Sequence, residues 1–131
     1  MAAQAATWSQ LTVDPGTGAP LAISRRRYTP TAAMRRFLGA RDATCRFPGC
    51  DKPGAATEAD HTTEWSQGGT TDTDNLALLC RQHHRLKTLG HWKARQISTA
   101  ESPSLPGTLE WTAPSGRKYV TYPDADLPPP F

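Results

Sequence analysis

Two short pairs of residues constrain this chain more than anything else in it. Cys45 and Cys50 enclose "RFPG", and Cys80 and His83 enclose "RQ". Each pair has the spacing at which a tight turn or one helical turn aims two ligands at a single ion. Zinc takes four nitrogen or sulfur ligands in a tetrahedron, and this set supplies three thiolates and one imidazole. A redox disulfide between Cys45 and Cys50 fits the Pro48-Gly49 loop less well. Three cysteines are also an odd number for a disulfide framework.

A metal staple is what such a composition calls for. With 131 residues, 37% of them hydrophobic, the chain can build one small domain with a thin core. No apolar run is long enough to span a membrane, so no membrane partner is expected. The start, "MAAQAATWSQ", lacks the basic and apolar segments of a secretory leader, which predicts a soluble, cytoplasmic protein.

Around the ligand pairs the pattern predicts an α+β arrangement. Residues 1–44 read as an N-terminal extension: a hairpin over Leu11–Ile23, then a helix in "TPTAAMRRFLGARD", capped by Thr29 with Pro30 in its first position. Residues 45–90 form the core. In it "TEADHTTEW" reads as a strand and "NLALLCRQHHRLKTLG" as one helix, capped by Asp74 or Asn75 and ended by Gly90. On that helix His83 falls about 60° to one side of Cys80 and His84 about 40° to the other, with Leu78, Leu79, Leu86 and Leu89 packing inward. Residues 91–124 hold three strand-like runs, "HWKARQI", "GTLEWTA" and "RKYVTY", read as an antiparallel meander. Residues 125–131 read as a flexible tail. Trp65, Trp92 and Trp111 are expected as core anchors rather than stacking platforms.

The net charge is only +3, but the charges are segregated. Seven arginines and a single acid, Asp42, lie between Arg25 and Arg46; five bases and no acid lie between Arg81 and Arg95. That distribution suits a polyanion, and a solvated surface accounts for it equally well.

Between the ligand pairs runs "DHTTEWSQGGTTDTDNLALLC". With Asp60-His61, Gly68-Gly69, Asn75, Leu78 to Cys80 and His84 in that order, the stretch resembles the HNH endonuclease family, whose fold is a ββα-metal finger. The flanks, "TPTAAMRRFLGARDATCRFPGC" and the closing "W…PSGR…Y", resemble a group of actinobacterial HNH proteins in which the nuclease module ends a longer chain. The sequence departs from the pattern where His83 replaces a fourth cysteine, and where "DHTTEW" lacks the proline common after Asp-His.

The resemblance implies a metal-dependent endonuclease that hydrolyses phosphodiester bonds, with double-stranded DNA the expected substrate. It implies His61 as general base, Asn75 as the residue that orients it, and Asp60 with His84 as ligands of one catalytic divalent cation. Mg²⁺ or Mn²⁺ is expected there, with Ni²⁺ and Zn²⁺ also open because an imidazole joins the shell. Cys45, Cys50, Cys80 and His83 are the expected structural Zn²⁺ ligands. Arg81, Arg85 and Lys87 are the candidate nucleic-acid contacts; a solvated lysine is as good a reading of Lys87. Glu64 is read as a surface residue, and His91 is given no role. The alternative function is a catalytically silent zinc-finger module that binds DNA or protein. Asp60, His61 and His84 discriminate the two, since a binding finger has no need of them. Oligomeric state is not legible.

Overall fold

The computed structural model describes residues 13, 18–98, 100–101 and 105–124. Helix α1 is Ala32–Asp42. Strands β1, Thr57–His61, and β2, Leu76–Cys80, form an antiparallel pair, with Thr57 opposite Cys80 and His61 opposite Leu76. Helix α2, Arg81–Thr88, leaves directly from β2. Strands β3, Lys93–Gln96, β4, Leu109–Thr112, and β5, Lys118–Thr121, make a separate antiparallel sheet in sequence order. The mixed α+β class and the meander are as expected. The tail, and most of the expected N-terminal hairpin, lie outside the described residues; a bridge between Val13 and Pro20 is what the described residues show of that hairpin.

One expected element is corrected. "NLALLCRQHHRLKTLG" is a strand followed by a helix. Leu76 to Cys80 are all buried, and the helix starts only at Arg81, with Cys80 as its cap residue. An unbroken apolar run of this length fits a strand buried on both faces as well as it fits a helix. Pairing with β1 decides the matter, and the alternation of a strand sends the residues to two clusters. Ala77 and Leu79 join Cys45, Cys80, Leu109 and Trp111; Leu76 and Leu78 join Leu21, Met34 and Leu38. Leu78 and Leu79 are therefore not on the helix, and Leu89, just past its end, is 64% exposed.

Helix α1 also starts later than expected. Thr31, not Thr29, is the cap, and its side chain accepts a bond from the Met34 N–H at 3.1 Å. The helix runs through Gly39, where the space beside the backbone is open. Of the three tryptophans expected as anchors, Trp111 is fully buried and donates its indole N–H to the Arg46 carbonyl at 3.0 Å; Trp65 and Trp92 are half-buried.

At the C-terminal end of α1 sits a buried ionic hub. The Asp42 carboxylate accepts from Arg41 Nε at 2.7 Å, from Arg46 at 2.9 Å and from the Leu78 N–H at 3.1 Å. Arg41 also donates to the Thr73 and Leu76 carbonyls, and Arg46 to those of Gly107 and Thr121. Helix α1, the start of β2 and the meander are thus tied through one carboxylate. Two of the seven clustered arginines are spent here, away from any polyanion. Asp42→Ala leaves two buried guanidinium groups uncompensated, and the expected cost is about 3–5 kcal/mol. Urea unfolding of the variant measures it; a loss below about 1 kcal/mol would show that the hub is not what joins these elements.

Candidate metal and catalytic centre

Cys45 and Cys50 come from the loop between α1 and β1. Gly49 takes φ 78° and lets that loop fold back, so that the Cys50 N–H reaches the Phe47 carbonyl at 3.1 Å. Cys80 ends β2 and His83 lies in the first turn of α2. The donor atoms of these four residues all lie within 4.8 Å of one another. His83 turns Nδ1 toward the sulfurs, 3.2 Å from Cys80 Sγ and 3.6 Å from Cys45 Sγ, and its ring stacks on Phe47 with centroids 3.9 Å apart. All three cysteines are free thiols. Burial pushes the Cys45 thiol up to about 12. Cys80 shifts down: burial opposes the shift, but hydrogen bonds from the His83 backbone and the neighbouring thiols outweigh it. Burial, then the charge of Lys52, lowers His83 and keeps it a neutral donor. Three sulfurs and one neutral imidazole gathered this closely can hold a metal ion such as zinc.

The opposite face of α2 meets β1. Asp60 is buried, and its Oδ1 has no hydrogen-bond partner. That oxygen stands 3.1 Å from His84 Nε2, a close approach not aligned as a hydrogen bond. The other nitrogen of His84, Nδ1, meets Glu58 Oε1 at 2.8 Å. Glu58 was not anticipated. The signal for it was available: it lies two residues before Asp60, so a strand puts both carboxylates on one face. A carboxylate holding one nitrogen of a histidine whose other nitrogen faces a second donor is a common second layer around a metal. The orphaned Asp60 oxygen facing His84 Nε2 therefore fits a divalent cation.

The candidate nucleic-acid contacts separate. Lys87 is buried; its ammonium donates to the His61 carbonyl at 2.9 Å and to Glu64 at 2.8 Å, and pairs with Asp60 Oδ2 at 3.1 Å. It is held inside the site rather than offered to a phosphate at the surface, and Glu64, read as a surface residue, is its partner. Arg81 and Arg85 are exposed. With Glu58, His84, Thr88 and Leu89 they line an open cavity of about 330 Å³ beside the Asp60–His84 pair.

His61 ends β1, next to Asp60 but on the other side of the strand. It is buried, stacks on Tyr28 at 5.0 Å, and meets the edge of Trp65 at 5.8 Å. Its Nε2 is 2.9 Å from Thr71 Oγ1. Burial pushes its pKa down, against the pull of Asp60 and Glu64, so the ring is neutral near pH 7. Asn75 clamps the loop between β1 and β2: its side-chain oxygen accepts from the Thr63 N–H at 2.9 Å, and its amide donates to Thr63 and Thr70 carbonyls at 3.1 and 2.8 Å. Gly69 makes this closure possible, because a Cβ there would lie 1.8 Å from the Thr63 oxygen.

Comparison with known proteins follows the same residues. Residues 45–89 match the family described as HNH endonuclease. Three uncharacterized proteins of Mycobacterium tuberculosis are similar over longer stretches. Rv3776 is 43% identical over 105 residues, 79% of this chain and 19% of its own length. Rv2100 is 42% identical over 101 residues, 76% of this chain and 17% of its own length. Rv1945 is 36% identical over 87 residues, 66% of this chain and 19% of its own length. The chain thus spans about a fifth of the length of the curated relatives it matches. No solved structure matches it. Among the described residues no helix is long and apolar enough to cross a membrane. Residues 45–89, which hold the Cys45–Cys50–Cys80–His83 cluster together with Asp60, His61 and His84, are thus the part of the chain that matches the HNH endonuclease family.

Proposed function

We propose that the chain is a metal-dependent endonuclease that hydrolyses phosphodiester bonds in double-stranded DNA. The observation that carries this reading is the buried Asp60 Oδ1, which has no aligned hydrogen bond and lies 3.1 Å from His84 Nε2, one residue away from a neutral His61. Asp60 and His84 hold a divalent cation, Mg²⁺ or Mn²⁺, which when bound supplies Lewis-acid stabilisation to the phosphate and the leaving oxygen. His61 accepts the proton of the attacking water as general base. Asn75 holds the loop that faces His61. Lys87 holds Asp60 in place from inside, and Arg81 and Arg85 border the groove where the DNA backbone lies. Cys45, Cys50, Cys80 and His83 hold structural Zn²⁺.

The test is nicking of supercoiled plasmid by the zinc-loaded protein, with and without added Mg²⁺ or Mn²⁺. Cation-dependent nicking that is lost in His84→Ala, with zinc content and melting unchanged, supports the assignment. Full activity in that variant, or no nicking with any divalent cation, would overturn it.

The electrostatics add a prediction on cation affinity. The Asp60 carboxylate, opposed by burial and helped by Glu58, raises His84 to about 9. In the cation-free protein the imidazole is therefore charged at pH 7. A folded-state pKa above the unfolded value means that His84 stabilises the cation-free fold fully below about 6.5, and that this is lost as pH rises through about 9. A cation must displace that proton. Binding should release close to one proton per cation at pH 7, and affinity should rise about tenfold per pH unit until it levels near pH 9. Calorimetric titration in buffers of different ionisation heat measures the proton; affinity independent of pH between 6 and 8 would contradict a protonated His84.

A further inference from the structure

The residues before the matched domain reach into its site. Residues 21–28 lie as a strap across the loop between β1 and β2. The Ile23 N–H donates to the Thr71 carbonyl at 3.1 Å, the Thr71 N–H to the Ser24 carbonyl at 2.8 Å, and the Thr73 N–H to the Leu21 carbonyl at 3.0 Å. The Ser24 N–H donates to Asp72 Oδ1 at 2.8 Å. Arg25 fastens the strap at the far side. Its guanidinium lies 3.9 Å over the Trp65 ring and donates to the Trp65 and Gly69 carbonyls.

At the centre of this seam is Thr71, fully buried. Its hydroxyl is 2.6 Å from the Arg27 carbonyl oxygen and 3.2 Å from that of Tyr28. A carbonyl cannot donate, and two oxygens approach to such a distance only with a proton between them. The single hydroxyl proton is therefore committed to the strap. Thr71 Oγ1 is also 2.9 Å from His61 Nε2, and with its proton spent it can only accept there. His61 then carries its proton on Nε2 and has its lone pair on Nδ1. Tyr28, the next strap residue, stacks on the same imidazole.

We propose that the strap is part of the catalytic site: the Arg27 carbonyl, acting through the Thr71 hydroxyl, fixes His61 in the tautomer whose Nδ1 is free to take the proton from water. Thr71 is a positioning residue, and the acceptor that sets it comes from backbone outside residues 45–89. This rests on the reading of His61 as general base. No covalent change is involved; the relay selects which nitrogen is unprotonated before the reaction begins.

Thr71→Val keeps the shape and removes the hydroxyl, while Thr71→Ser keeps the hydroxyl and loses a methyl group. In zinc-loaded full chain, Thr71→Val should lower kcat for plasmid cleavage by about tenfold or more, within the 10²–10⁴ that a positioned base supplies, with KM little changed. Thr71→Ser should recover most of that loss. In a His61→Ala background the valine change should have no further effect on kcat. The cation-free protein gives a readout apart from activity: two-bond nitrogen–proton correlations of the His61 ring should show the proton on Nε2 in wild type and Thr71→Ser, and a mixture or the opposite tautomer in Thr71→Val. Unchanged kcat and unchanged tautomer in Thr71→Val, with His61→Ala still inactive, overturn the relay and leave the base intact. An active His61→Ala overturns the base, and the relay with it. Equal loss in the serine and valine variants assigns Thr71 to packing and also overturns the relay.

Discussion

Stripping the metal from Cys45, Cys50, Cys80 and His83 is expected to unfold the domain. Structural zinc in small fingers contributes about 10–16 kcal/mol of apparent binding energy, and net domain stabilities are about 5–15 kcal/mol. The position of the cluster shows why so much depends on it. Cys45 and Cys80 belong to the same buried cluster as Leu79, Leu109 and Trp111, and Phe47 packs there while stacking on His83. An ion held there would join the loop before β1, the junction of β2 and α2, and the face of β4. Without it, three thiol groups remain crowded within 4.8 Å, two of them buried. His83→Ala removes one ligand of four and should lower both zinc content and melting temperature, with activity lost as a consequence. Zinc content, melting curves and far-UV circular dichroism before and after a strong chelator decide the matter. A melting curve unchanged by complete removal of zinc would sink the idea of a structural staple.

What was legible in the sequence follows from range. Cys45 with Cys50, and Cys80 with His83, are local patterns whose meaning does not depend on the rest of the fold. The three meander strands were legible for the same reason, since proline and glycine separate them. The strand β2 was not. "LALLC" carries no periodicity that tells a buried strand from a buried helix, and its pairing with Thr57–His61 is a long-range fact. His83 turns toward the sulfurs, and His84 toward Asp60 and Glu58. Both lie within α2, where adjacent residues diverge by about 100°. Charge was the least legible property. Arg41 and Arg46 look like their exposed neighbours in sequence, and only the fold puts Asp42 between them. Lys87 is likewise turned inward by Asp60, Glu64 and the His61 carbonyl. The Thr71 contact with the strap joins residues 44 positions apart, and no local pattern announces it.

Replacing His61 with alanine should lower the rate of DNA cleavage by about 10²–10⁴, the usual range for a lost general base. The argument rests on three features of this side chain. Burial lowers its pKa, so the ring is unprotonated at neutral pH and able to accept a proton. Tyr28 and Trp65 pack against the ring and restrict its rotation. Thr71 holds Nε2, so only one nitrogen remains to meet the water. The imidazole bonds to Thr71, not to Cys45, Cys50, Cys80 or His83, so the change should leave zinc content near that of the unaltered protein. The truncation does open space beside Tyr28, and a modest fall in melting temperature is expected with it. DNA binding should stay near wild type, since Arg81 and Arg85 lie at the other end of the site, next to His84. Single-turnover nicking at saturating cation, together with a binding isotherm on the same plasmid, separates the two quantities. A variant that binds and nicks like wild type would show that His61 is not the base, and the water would then need another acceptor among Glu64, Glu58 and the buried Asp60. A variant that loses binding and cleavage together would place His61 in the DNA interface instead.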